Sequence, residues 1–246
     1  MRMTPPGAWR AQTLAVEAGG EAELEAGDEG EAATQAHSMT LYNCRQRDGA
    51  APAAPGQAPS PRTMPDMELK GKRIVVLVDQ LYQELEVWYP YYRFREAGAE
   101  VVLAGPEAGA TYPSKYGYPA RADVAFADLK AADFDGVVIP GGYAPDHIRR
   151  HAAANRFVAD MNAQGKLVAA ICHAGWVLCS AHGMLRGRHV TSFFAIKDDM
   201  VNAGALWEDA EVVVDHNLVT SRKPDDLPAF CRAAIDVLSS TEVPAL

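Results

Sequence analysis

Cys172 follows the apolar run Leu167-Val168-Ala169-Ala170-Ile171 and precedes His173-Ala174-Gly175-Trp176-Val177-Leu178. A short, fully apolar run predicts a buried parallel strand, and the segment after it predicts a helix. A cysteine at that junction sits on a tight strand-to-helix turn, the nucleophile-elbow arrangement with Cys in place of Ser. The helix N-terminus behind it offers free N–H groups and a positive dipole end, and both favour thiolate over thiol. Position and residue type together point to a covalent nucleophile.

Other residues can serve that sulfur. Glu86 falls on the first turn of a predicted helix, from where its carboxyl can reach across a sheet edge to Cys172. Protonated, it would donate a hydrogen bond to the thiolate. Glu84, two residues away on another face, reads as solvated. Gly141-Gly142 follows the run Val137–Pro140. The N–H of Gly142, free of side-chain bulk, pairs with that of His173 as donors to a developing oxyanion. The same two glycines also read as a tight turn needing positive φ. His173 suits general acid/base work on both thiol and substrate. Its adjacency to Cys172 makes a direct Cys–His bond awkward unless the elbow redirects the two side chains. Asp146 is the candidate carboxylate to orient His173, and it also reads as the N-cap of a helix at His147–Arg150. His147 and His151 are four apart but lack a third ligand at zinc-site spacing, so no metal is expected. Neither GxGxxG nor a Walker pattern occurs, so no cofactor is expected either.

The elements that must position these groups alternate. Strands are predicted at Arg73–Val78, Glu100–Ala104, Gly136–Pro140 and Leu167–Ile171, with shorter ones at His189–Ser192, Glu211–Val214 and Leu218–Ser221. Helices are predicted at Glu84–Ala97 (with Pro90 inside it), Asn155–Gln164, Lys197–Asn202 and Asp225–Leu238, with a small β excursion at Thr111–Ala122. Such alternation gives an α/β fold, a mainly parallel sheet with helices on both faces. Sites in such sheets lie at the carboxyl ends of strands, so Asp79, Gly141-Gly142 and Cys172 should share one edge.

Composition divides the chain. Residues 1–66 hold 7 of the 16 prolines, 7 of the 20 glycines and seven carboxylates with no basic residue over Glu17–Glu31. That segment cannot bury enough apolar area to offset the entropy of ordering, and it reads as a disordered extension. Met64 and Met67 are alternative starts. Residues 67–246 are long enough for one sizeable core, one domain. The net charge of −9 includes no basic stripe, which speaks against nucleic acid and anionic membrane surfaces as partners. No apolar run approaches the roughly 20 residues of a membrane span, and no signal peptide is evident. Of the four cysteines, Cys172 and Cys179 are too far apart along one helix to bridge, which fits a reducing, cytoplasmic setting.

Several strings together resemble the ThiJ/PfpI family in its PfpI-like intracellular protease branch. They are Ala170-Ile171-Cys172-His173-Ala174-Gly175, Pro140-Gly141-Gly142-Tyr143-Ala144-Pro145-Asp146, Glu84–Pro90, Glu211–Asp215 and Thr191–Gly204. The resemblance spans about residues 70–240. It implies a flavodoxin-like three-layer sandwich of the class I glutamine amidotransferase-like superfamily. It implies Cys172 as nucleophile, His173 as its partner, Glu86 against the thiol, and Asp146 completing a Cys-His-acid triad from a neighbouring subunit, hence a homo-oligomer. It places Gly141, Tyr143 and Phe193 around the pocket. Members act as peptidases, protein deglycases or glyoxalase-type enzymes, so small carbonyl adducts or peptides are the implied substrates. A stress or redox sensor, or a chaperone without turnover, is the alternative for an accessible low-pKa thiol. Gln83 stands where many members have a second Glu, Phe193 where some have Tyr, and Ala174-Gly175 where Gly-Pro is common.

Overall fold

The computed structural model describes residues 67–240. The expected disordered extension, the alternative start at Met64 and Cys44 lie outside them, as do residues 241–246. Along the chain come β1 (Arg73–Leu77), α1 (Glu84–Glu96), β2 (Glu100–Gly105), β3 (Thr111–Pro113), β4 (Pro119–Arg121) and β5 (Val124–Ala125). Then follow β6 (Gly136–Ile139), α2 (Ala144–Ile148), α3 (Ala152–Ala163), β7 (Leu167–Ile171) and α4 (Gly175–Ser180). The chain ends with β8 (His189–Val190), α5 (Lys197–Asn202), β9 (Leu206–Trp207), β10 (Val212–Asp215), β11 (Leu218–Ser221) and α6 (Leu227–Ser240).

The main sheet runs β10-β11-β7-β6-β1-β2-β5. Every neighbouring pair is parallel except β10 with β11. Strands β6, β7 and β11 are buried along their whole length, which is why β6 and β7 read as unbroken apolar runs rather than alternating ones. Helices α1 and α6 pack on one another and on the sheet, while α3 lies against β6 and β7 and contacts α4. The result is the flavodoxin-like α/β sandwich.

Strand order makes the site. From β1 the chain moves outward through β2 to β5, then returns to the other side of β1 as β6 and continues to β7. The direction of winding therefore reverses between β1 and β6. In doubly wound sheets the crevice at the carboxyl ends of two such strands is where ligands bind. The segments carrying Glu86, Gly141-Gly142 and Cys172 all leave this edge.

Two local expectations change. The helix after Gly142 starts earlier than expected, at Ala144, so Asp146 lies within its first turn and Tyr143 occupies the N-cap. Pro145 explains this, because its fixed φ and missing N–H suit a helix start. His151 caps α3 from an extended conformation and is not on one helix with His147, so the two never form an i,i+4 pair. It lies 3.6 Å from the buried carboxylate of Asp79 instead.

Candidate active site

Cys172 has φ 63°, a left-handed conformation that costs a non-glycine residue about 1–2 kcal/mol. The strain turns the chain from β7 straight into a short 3₁₀ turn, Cys172–Ala174, and then α4. It also settles the difficulty of adjacent Cys and His, because their side chains converge, with Sγ 3.2 Å from Nδ1 of His173. The carbonyl of Cys172 accepts from the Phe193 N–H at 3.1 Å, which fixes the turn from the far side. The residue is 8 % exposed and opens onto a cavity of about 270 Å³.

Glu86 is fully buried in the first turn of α1. Gln83 caps that helix, its side-chain oxygen accepting from the Glu86 N–H at 3.2 Å. The cap directs the Glu86 carboxyl inward, where Oε2 accepts from the Gly141 N–H at 2.7 Å. Gly141 is glycine for lack of space, since a Cβ there would stand 2.6 Å from both the Cys172 Cβ and Glu86 Oε2 and 3.0 Å from Sγ. It lies behind the sulfur and does not line the cavity, contrary to expectation. Gly142 has φ 77° and a Cβ on it would strike backbone atoms of Leu81 and Gln83 at 2.6 Å. Gln83 N–H donates to Gly141 O and Tyr143 N–H to Leu81 O, so the strap 81–83 is tied to the glycine turn.

Burial pushes the Glu86 carboxyl up to about 7, against the Gly141 N–H, the Cys172 thiol and the Lys115 charge, which favour ionisation. Its Oε1 is buried without a full hydrogen bond. Burial, and then the charge of Glu86, push the Cys172 thiol up to about 12, while the N–H groups of Gly142 and His173 pull it down. This corrects the expectation that the elbow alone favours thiolate. Helix α4 has six residues and begins behind a 3₁₀ turn. Its dipole and two N–H groups do not offset desolvation beside a second anion. Carboxyl and thiol therefore compete for one proton. Burial followed by the Lys115 charge lowers His173, which keeps its imidazole neutral near pH 7.

Phe193 stacks on His173 at 4.8 Å and Trp176 meets it edge-on at 5.2 Å. Tyr143 lies on the cavity wall and is 62 % exposed. Asp146 is not brought to His173 within this chain, and its carboxylate pairs with Arg150 one turn on. Among the described residues no group of three or more His, Cys, Asp or Glu side chains is placed to hold a metal ion. No helix among them is long and apolar enough to cross a membrane.

The model of the DJ-1/PfpI family matches residues 72–237. The chain belongs to the DJ-1/PfpI family. A deglycase of Pyrococcus abyssi is 44 % identical over 166 residues, covering 68 % of this chain and 99 % of that protein. The protein/nucleic acid deglycase 2 of Escherichia coli is 41 % identical over 171 residues, covering 69 % of this chain and 99 % of its own. Among solved structures, a two-domain protein of Anabaena variabilis with DJ-1/ThiJ/PfpI-like and ferritin-like domains superposes with a TM-score of 0.67 at 41 % identity. That likeness covers 71 % of this chain and 50 % of the other. The DJ-1/PfpI match contains all the site residues named above.

Three residues of this DJ-1/PfpI site escaped the sequence reading. Trp176, four after Cys172, was findable from helical spacing. Lys115 and Lys223 also line the cavity, but no local pattern connects either to Cys172. Glu84 is not solvated as expected. Its Oε1 accepts from Ser114 Oγ and, at 2.8 Å, from the Tyr116 N–H, so it clamps the β3–β4 turn that carries Lys115.

Proposed function

We propose that the protein is a cysteine-nucleophile hydrolase of glyoxal-type adducts or small peptides, with Cys172 as nucleophile. The observation that carries this reading is a cysteine at a strained elbow, its Sγ 3.2 Å from the His173 imidazole and set against the buried carboxyl of Glu86. Strain and burial of this kind persist only where the surrounding structure maintains them, and they concentrate at reactive sites.

The proton moves from Sγ to Glu86, leaving a thiolate that accepts from the protonated carboxyl and the N–H groups of Gly142 and His173. Sulfur adds to the substrate carbonyl, and the resulting alkoxide lies beside the same two N–H groups. Collapse of an amide adduct breaks the C–N bond. The proton taken up by Glu86 passes by way of His173 to the departing amine, and water then adds to the thioester, releasing the acid and returning one proton to the Glu86–Cys172 pair. Phe193 and Trp176 hold the imidazole in its plane and keep bulk water off it. The names of the Pyrococcus and Escherichia relatives favour glycated adducts over peptides. A cavity of about 270 Å³, just below the usual range for small-molecule sites, also favours small substrates.

Asp146 is proposed to orient His173 of a second copy, giving a homo-oligomer. Supporting this, the carboxylate is partly exposed in the single chain, and Leu85, Tyr89, Tyr92, Tyr116 and Tyr143 leave large apolar side chains exposed. The three described cysteines are free thiols, which fits a cytoplasmic setting. Turnover of methylglyoxal-modified N-acetylcysteine by wild type and Cys172→Ala tests the reading. Loss of turnover in the variant is expected, and unchanged turnover rejects it.

A further inference from the structure

The cavity beside Cys172 carries more positive charge than its chemistry requires. Its charged lining consists of Glu86, Lys115 and Lys223. Glu86 and Cys172, sharing one proton, hold one negative charge between them. Two lysines line the same cavity, and Lys115 acts on the Glu86 carboxyl. Lys223 lies 3.2 Å from Asp225, but both side chains are solvent-exposed, so that pair screens it weakly. Lys115 makes no ion pair among the described residues; its charge acts on the carboxylates of Glu84 and Glu86, and its ammonium lies 5.6 Å from the ring centre of Tyr116.

Lys115 is also held in place. Its backbone N–H donates to Tyr82 O at 2.9 Å, on the strap that is tied to Gly141-Gly142. Ser114, before it, accepts from the Tyr118 N–H at 2.8 Å and donates to Glu84. Leu81 N–H donates to Pro113 O at 2.7 Å. The turn is bonded directly to the strap 81–83, so Lys115 lines the cavity from a fixed base. Its charge already acts on Glu86 and His173, so it is within electrostatic reach of both.

We propose that the cavity selects substrates bearing a carboxylate next to the reacting carbonyl adduct, with Lys115 as the counter-ion and Lys223 as a second cation across the mouth. This rests on Cys172 being the nucleophile and names the substrate class of that site. The two ammonium groups in the lining are suited to receive a carboxylate. Adducts of free amino acids carry such a carboxylate, whereas adducts inside a polypeptide do not. Glu84 and Ser114 act as positioning residues for Lys115.

Alkylation of Cys172 in the full chain by iodoacetate and by iodoacetamide tests this without needing turnover. In each case the thiolate displaces iodide and forms one S–CH₂ bond, and the reagents differ only in carboxylate against amide. Rates are read on the Cys172 peptide by mass spectrometry, and the iodoacetate/iodoacetamide ratio is compared with that of free N-acetylcysteine. The ratio is expected to exceed the free-thiol ratio by about fivefold, as a single ammonium about 4 Å from the carboxylate gives in high dielectric. It is expected to fall toward the free-thiol value in Lys115→Gln, to fall less in Lys223→Gln, and to be retained in Lys115→Arg. In turnover, Lys115→Gln should raise KM for the methylglyoxal adduct of N-acetylcysteine but not for that of its amide. A Cys172 that reacts with both reagents in the free-thiol ratio overturns the carboxylate preference alone. A Cys172 that neither reagent modifies overturns the nucleophile assignment, and this inference with it.

Discussion

Replacing Glu86 by Gln should make the protein more stable at pH 8 and leave it nearly unchanged at pH 4.5. The carboxyl rises from an ordinary value of 4.5 to about 7 in the folded chain, chiefly through burial. A shift of about 2.5 units is worth about 3 kcal/mol at roughly 1.4 kcal/mol per unit. The sign follows from proton counts. Between 4.5 and 7 the folded protein binds the proton and the unfolded chain does not, so stability falls as pH rises through that window. Above pH 7 the folded protein carries the full cost of a buried carboxylate. Gln cannot ionise, and its amide oxygen still accepts from the Gly141 N–H. The gain of the variant over wild type should therefore grow from near zero at pH 4.5 to about 3 kcal/mol at pH 8. Titrating groups other than Cys172, including Asp79, whose carboxyl burial also raises, are common to both proteins and cancel in the difference. Urea unfolding of both proteins at half-unit pH steps measures it. A gain that is flat across pH, or one that shrinks as pH rises, refutes the assignment of Glu86 as a buried, reluctantly ionised acid. A positive result would also mean that the residue is kept at a cost to stability, as expected of a group serving chemistry.

Other expectations follow from the backbone. Cys172→Gly should be more stable than Cys172→Ala by about 1 kcal/mol, because only glycine adopts φ 63° without strain, and thermal unfolding of the two variants compares them directly. Gly141→Ala should abolish Cys172 alkylation at pH 8, since the added methyl lies 3.0 Å or less from the sulfur, Cys172 Cβ and Glu86 Oε2, and wild-type alkylation kinetics would remove that explanation. Glu84→Ala should loosen the β3–β4 turn, seen as faster amide hydrogen exchange at Tyr116 than in wild type.

Much of the fold was legible because the central strands are buried on both sides. Runs such as Leu167–Ile171 and Gly136–Ile139 leave no alternation to confuse with anything else, and each ends where a functional residue begins. The seven-stranded order was not legible, because strand neighbours depend on which face each crossover takes. Cys172, His173 and Gly142 were legible from residue type at strand ends, and Glu86 mostly through the family resemblance. Their electrostatics were not. The thiol is raised rather than lowered because Glu86 comes from a segment 86 residues earlier and both groups are dry, and no local window contains that fact. Lys115 and Lys223 escaped for the same reason, as they reach the cavity only through tertiary structure. Asp146 was expected at an N-cap, but Pro145 moved the helix start ahead of it.

The shared proton between Glu86 and Cys172 is tested most directly by the rate of Cys172 alkylation by iodoacetamide as a function of pH, in wild type and in Glu86→Gln. In wild type the reactive form should appear as the pair loses its first proton, with a midpoint near 7. In Glu86→Gln the thiol must ionise alone in a buried site, so the midpoint should move above the free-thiol value of about 8.5. A wild-type midpoint at or above the free-thiol value, or the same midpoint in both proteins, contradicts the shared proton and the nucleophile built on it.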